Sequence, residues 1–269
     1  MFRVMNVVSG DRVFKAAIMG VLALLTLFFI GIAVSMVAYT DWDILSSTLI
    51  SQEILFAIKL SLVTATIATV ISIAIAIPVA YAISQTEFPG KDIVDTILDL
   101  PIVISPIALG AALLVFFNSP IGRGIENHII RFVFEVPGII LAQCTVISAL
   151  AVRLLKSTFD SIDPRYEQVG RTLGCTKLKV FFRVTLPLAR DGLIASSILT
   201  WARAVGEFGA TVTLAGATRL KTETLPVSIF LSLATADVEK AVAVIFILIF
   251  IAAVSLITLR KISGKSYQI

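Results

Sequence analysis

Charge is scarce in this chain. Asp, Glu, Lys and Arg make up 15% of its 269 residues, against 58% hydrophobic. A soluble fold of this length needs far more polar surface, so the solvent for most of these side chains is a bilayer. Histidine occurs once, as His128, and cysteine twice, as Cys144 and Cys175. One imidazole and two distant thiols make neither a metal site nor a disulfide framework, and both cysteines read as small filler residues. No Gly-x4-Gly-Lys-Ser/Thr loop is present, which excludes a P-loop nucleotide site. The net charge of +4 comes without a basic-aromatic platform, so no nucleic acid partner is expected. Scattered hydroxyls supply no nucleophile–base constellation, and the chain is expected to be no enzyme and to hold no cofactor.

What is there is apolar and long. Uncharged windows at 16–40, 60–86, 100–122 and 241–259 each hold the ~20 residues that a helix needs to cross about 30 Å of hydrocarbon. A fourth in chain order, 136–152, is shorter, and Arg153 and Lys156 extend the span to 136–157 by snorkelling to the interface. A further one, 192–218, is interrupted by Arg203 and Glu207. The expectation is a single membrane domain over 1–269, an all-α integral membrane protein with six transmembrane helices. The first window exceeds a cleavable leader's apolar core of about 7–15 residues, so a retained anchor is expected.

Basic residues fix the orientation. With the N-terminus inside, the inner segments hold Arg3, Arg12, Lys15, Lys91, Arg153, Lys156, Arg165, Arg171, Lys177, Lys179, Arg183, Arg190, Arg260, Lys261 and Lys265. Arg123, Arg131, Arg219, Lys221 and Lys240 lie in the outer loops, a clear minority. Both termini are therefore expected in the cytosol. Thr40–Glu53 is an acidic outer loop carrying Asp41 and Asp43, Pro89-Gly90 marks an inner turn, and Pro137 fits the first turn of the fourth helix.

The longest inner excursion covers about 158–190, where Arg171, Lys177, Lys179 and Arg183 interleave with Leu173, Leu178, Val180, Phe181 and Phe182. That mixture predicts short amphipathic helices on the membrane face. Asp163-Pro164 is a helix start, Gly174 a left-handed stop, and Leu186-Pro187 a second stop before the fifth span. An ordinary surface loop has the same composition.

Spacing separates the two readings. Gly174, nine residues, then Val184-Thr-Leu-Pro187 is similar to the signature of ABC-importer permeases, Glu-Ala-Ala-x3-Gly-x9-Ile-x-Leu-Pro. Gln168-Val169-Gly170 stands where that signature has Glu-Ala-Ala, with Glu167 one place early. A second stretch, Trp201 to Thr213, contains Gly-Glu-Phe-Gly-Ala-Thr and resembles permeases for molybdate, tungstate and sulfate. Leu100 to Gly110, with Pro101 and Pro106, is similar to the third-helix segment of the same group. The resemblance spans about 60–226. It implies a type I importer of a prokaryotic cytoplasmic membrane: a permease homodimer, two cytosolic ATPase subunits and an external oxyanion-binding protein. Molybdate or tungstate is implied over sulfate. On this resemblance Glu167, Gln168, Gly170, Arg171, Gly174, Leu186 and Pro187 couple to the ATPase, with Phe181 and Phe182 anchoring the segment to the spans.

Arg203 and Glu207 require an energy argument. Two charges near the bilayer centre cost about 5–7 kcal/mol, while the Leu, Ile, Val and Phe residues of 192–218 return about 2.4–4.8 kcal/mol. Such a helix faces protein or water, not lipid. Spaced i, i+4, the two side chains can pair, which makes either a structural ion pair or part of an oxyanion path or gate. Gly206 and Gly209 allow close approach. Thr211, Thr213 and Ser105 are hydroxyl candidates for an oxyanion, and Pro101 and Pro106 break the third helix as a gate or as a packing kink. The rivals are a secondary transporter of small anions without an ATPase partner, an integral membrane enzyme and a scaffold. One buried carboxylate and no inverted repeat weigh against the first.

Overall fold

The computed structural model describes residues 2–38 and 42–263, and every described element is a helix. Expectations resting on Thr40, Asp41 and Lys265 lie outside the described residues. The first apolar window lies in α1 (Phe2–Ala38), and none of its apolar stretch within Phe14–Ala38 is buried against the rest of the chain. After α2 (Trp42–Ile50) comes α3 (Gln52–Gln85), which starts where the Ser51 hydroxyl accepts the Ile54 N–H at 3.4 Å. Its buried face is a stripe of small residues: Ala57, Ser61, Ala65, Ala68, Ser72, Ala76 and Ala80. Apolar side chains gain little by leaving lipid, so close backbone approach along such a stripe holds membrane helices together. The partner on that stripe is α7 (Val136–Asp160), whose Ala142, Ile147, Ala151 and Leu155 are buried. Pro137 sits in its first turn, as expected.

The third expected span, 100–122, is not one helix. It is divided between α4 (Lys91–Val103) and α5 (Pro106–Asn118), bent by 109°, with α6 (Pro120–His128) following. The cause is local. Proline disfavours helical backbone in the residue before it, and Ser105 is extended at φ −61°, ψ 142°. The Ser105 hydroxyl then accepts the Ala108 N–H at 3.3 Å and starts a new helix with Pro106 in its first turn. Pro101, also expected to break the span, lies inside the last turn of α4.

The inner excursion forms α8 (Arg165–Thr172), α9 (Lys177–Val180), a π-turn (Phe181–Thr185) and α10 (Leu186–Leu188). The fifth expected span, 192–218, is α11 (Arg190–Val205) and α12 (Gly209–Ala215), separated at Gly206–Phe208. Past Arg219, where an outer loop was expected, α13 (Leu225–Ala234) is buried at its start and its Leu225 N–H donates to Ser61 Oγ at 2.8 Å. Last comes α14 (Val238–Ser263). Among the described residues four helices are long and apolar enough to cross a membrane, and the bent α4–α5 pair, counted as one span, brings the number to five. The broken 192–218 segment contributes no continuous span.

Arg153 reaches across to α4. Its guanidinium donates to both Asp99 carboxylate oxygens and, at 3.2 Å, to Asp95, clamping α7 to α4. Lys156 pairs with Asp160 at 3.1 Å.

Candidate functional site

Two constellations concern function: the place where the broken helices cross, and the inner excursion that leads into one of them.

At the crossing the contact is backbone to backbone. A Cβ built on Gly209 would lie 2.9 Å from the Ile107 nitrogen and 3.1 Å from Pro106 Cβ. One built on Gly110 would lie 2.8 Å from Ala210 Cα and 2.8 Å from Thr213 Cβ. Glycine is required at both positions because nothing larger fits. The start of α5 thus lies against the start of α12, and Pro106 and Gly209, expected at a path or gate, touch.

The break between α11 and α12 is capped on both sides. Gln143 of α7 is 1% exposed and donates Nε2 to the Ala204 carbonyl at 3.0 Å, serving a carbonyl at the end of α11. Glu207 accepts the Ala210 N–H at 3.0 Å through Oε1, serving the start of α12. Its Oε2 pairs with Arg203 Nη1 at 2.7 Å. The Glu207 side chain is 1% exposed and that of Arg203 40%. Each charge also complements a helix end, the cation in the last turn of α11 and the anion ahead of α12. Phe208, between them, packs on Phe230 of α13 with ring centroids 5.3 Å apart.

The remaining expected path residues separate. A Cβ built on Gly206 would meet nothing nearer than 3.8 Å. Ser105 is exposed, its hydroxyl engaged as the α5 cap. Thr211 is fully buried and its hydroxyl has no hydrogen-bond partner among the described residues. Thr213 donates to the Gly209 carbonyl at 2.7 Å, as hydroxyls in membrane helices commonly do. Gln143 and Gly110 carried no signal in the sequence, since an amide and a glycine inside apolar runs have many uses.

On the inner side, α8 has defined ends. The Asp163 carboxylate accepts the Arg165 N–H at 2.9 Å. Gly174 takes φ +81°, its N–H donating to the Arg171 carbonyl and that of Cys175 to the Gly170 carbonyl, both at 3.1 Å. That pair of bonds closes the helix with a left-handed residue, as expected of Gly174. Gln168 and Arg171 are exposed, beside an apolar row of Tyr166, Val169 and Leu173 at 56%, 58% and 78% exposure.

Glu167 and Gly170 point the other way. A Cβ on Gly170 would meet Val180 Cγ2 at 2.9 Å, so this glycine lets α8 lie on the following segment. Glu167, expected to offer a polar contact to a partner, turns inward. It accepts from the Tyr81 hydroxyl at 3.1 and 3.2 Å and from the Thr185 hydroxyl. Tyr81 packs edge-on against Phe159 at 5.7 Å and Phe181 at 4.7 Å. Phe181 therefore anchors the segment to α3 and α7, as expected, whereas Phe182 is exposed. Beside them lies a cavity of about 940 Å³, bordered by Pro78, Gln85, Arg171, Lys177 and Leu178.

Leu186-Pro187 lies in the three-residue α10, which ends at Leu188 with Ala189 as its C-cap, so a stop falls just before the fifth segment, as expected. The Leu186 N–H reaches back to the Phe181 carbonyl, the Ala189 N–H bonds the Thr185 carbonyl at 2.9 Å, and the Leu193 N–H bonds the Ala189 carbonyl at 2.8 Å. Proline inside a helix lacks a donor and crowds the carbonyl four residues back. The π-turn of Phe181–Thr185 stands immediately before it, a widened turn of the kind that accompanies such interruptions.

Comparison with known proteins agrees with this architecture. A bacterial alginate ABC transporter, solved with an alginate pentasaccharide-bound periplasmic protein, contains a chain that superposes with a TM-score of 0.75 at 18% identity, covering 96% of this chain and 95% of that one. A probable molybdenum ABC transporter permease of Haloferax volcanii is 34% identical over 83% of this chain and 81% of its own length. The molybdate/tungstate transport system permease protein WtpB of Pyrococcus furiosus is 36% identical over 70% and 72%. Residues 72–263 match the family described as binding-protein-dependent transport system inner membrane component, and the chain belongs to that family.

Proposed function

We propose that this chain is the membrane-spanning permease subunit of an ATP-driven oxyanion importer, with molybdate or tungstate as its substrate. The observation that carries the ATP-driven part is α8, a helix capped at both ends that exposes Tyr166, Val169 and Leu173 and is tied to the bundle from behind. A short rigid helix with an apolar outer row suits a cleft on a cytosolic ATPase, and Gln168 and Arg171 lie beside that row as polar contacts. The substrate class rests on the relatives named for molybdenum and for molybdate and tungstate. The external binding protein is in keeping with the family's dependence on one.

The finer assignment is a single permease domain with both termini cytosolic, acting as a homodimer with two ATPase subunits. The path runs past the crossing of α5 and α12. Arg203 and Glu207 hold the break there, with Gly206, Gly209 and Pro106 allowing it to form, and neither charge meets the ion directly. Ser105 caps α5, and Thr211 stays behind the path wall. Energy coupling is needed physically: a dianion entering a cell negative inside works against about 4.6 kcal/mol per 100 mV, and passive flow would lose it.

Uptake of radiolabelled molybdate into proteoliposomes holding this chain, an ATPase subunit and a binding protein tests the reading. Uptake is expected to require ATP on the ATPase side and to be blocked by tungstate and not by sulfate. Oxyanion uptake indifferent to ATP would replace it with the secondary transporter.

A further inference from the structure

We propose that Glu167 is a positioning residue that gears α8 to the membrane bundle, acting through Tyr81 and Thr185 and not by touching the ATPase. The proposal rests on reading α8 as the helix on which the ATPase acts. It concerns what happens after that contact, when movement of α8 has to reach the crossing of the broken helices.

The carboxylate stands where three elements converge. It lies on α8, accepts from Tyr81 on α3, and accepts from Thr185 in the π-turn. Both donors are held in advance. Thr185 is 2% exposed, and the Tyr81 ring is fixed by Phe159 and Phe181. Hydrogen bonds to an ionised acceptor are about twice as strong as neutral ones, so a single side chain makes a stiff joint. Little else ties α8 down, because the cavity of about 940 Å³ opens next to it and Gly170 adds only packing against Val180. A helix seated that loosely would tilt under load without moving the spans. The Glu167 joint converts tilt into displacement.

Continuity beyond the joint gives that displacement somewhere to go. From Thr185 the chain runs through α10 and one turn residue, Ala189, whose N–H donates to the Thr185 carbonyl and whose carbonyl accepts from Leu193, into α11, which is capped at Gly206 beside the crossing. Beyond that turn, α11 makes a rod of about 24 Å. A pull on Thr185 therefore arrives at the Glu207 cap and at Gly209, where the contact with Ile107 leaves no slack. The second arm, through Tyr81, holds α3 as the fixed reference. Two arms from one carboxylate, one to a stationary helix and one to a mobile rod, form a lever.

The test uses the assembled complex of permease, ATPase and binding protein in proteoliposomes, reading molybdate uptake per ATP hydrolysed. Tyr81→Phe and Thr185→Val each remove one donor with little change of shape. Each is expected to lower uptake per ATP by about tenfold, the worth of one charge-assisted hydrogen bond, with the ATPase still bound. Glu167→Gln, which keeps one acceptor oxygen and loses the charge, should fall in between, and Glu167→Ala should match the variant lacking both donors. A ratio unchanged in Tyr81→Phe and Thr185→Val, or uptake and hydrolysis falling in proportion, overturns the lever while leaving the docking helix standing. Failure of the unmodified chain to retain the ATPase on co-purification overturns the docking reading and the lever with it.

Discussion

Two glycines decide how closely the broken helices approach. At Gly110 an added methyl would meet backbone at 2.8 Å, and backbone cannot swing aside as a side chain can. Gly110→Ala is therefore expected to cost about 1–3 kcal/mol through overpacking, read as a lower thermal unfolding midpoint in detergent. Gly206→Ala, with no neighbour nearer than 3.8 Å, is the control and should leave the midpoint nearly unchanged. Equal effects from the two would remove the crossing from the account. The ion pair makes a sharper demand. Reversing it with Arg203→Glu and Glu207→Arg restores opposite charges but sets each against its helix end and deprives Ala210 of its acceptor. The doubly exchanged protein should be less stable than the original by roughly 1–3 kcal/mol. A midpoint equal to the original would mean that the pair acts only as two charges.

The inner helix α8 separates what holds an element in place from what it presents. Leu173 is 78% exposed and supports nothing behind it. Leu173→Asp should leave thermal stability within about 0.5 kcal/mol and still abolish retention of the ATPase on an affinity column. Full retention would move the docking surface elsewhere. Much of this element was legible beforehand. Asp163 and Gly174 announce its ends because caps are local chemistry, and both close it as the sequence implies. The direction of Glu167 was not legible, since it depends on Tyr81, 86 residues away. Nor was the π-turn of Phe181–Thr185, which leaves no mark of its own in composition. The third and fifth windows show the same limit. Their apolar lengths were plain, but length says nothing of the 109° bend at Ser105-Pro106 or of the gap at Gly206–Phe208.

At the scale of the whole molecule the helices are unequal. The apolar window of α7 is 56% buried and that of α3 39%, while that of α1 is not buried at all. Core truncation should register accordingly. Ile147→Ala, at a fully buried position, should cost about 2–5 kcal/mol, whereas Leu24→Ala, 72% exposed on α1, should leave the midpoint of the isolated chain unchanged. A comparable loss at Leu24 would show that α1 packs on its own bundle. The isolation of α1 also bears on how the chain enters the bilayer. Helices such as α3 and α7 reach their final surroundings only after they find each other, and their small-residue stripes are of use only then. By contrast, the apolar stretch of α1 within Phe14–Ala38 needs no later arrival to become comfortable, since none of it is buried by the rest of the described chain and lipid alone accepts it. It can be inserted and left as synthesis proceeds, a fixed post in the membrane while the remaining helices are still being threaded and sorted.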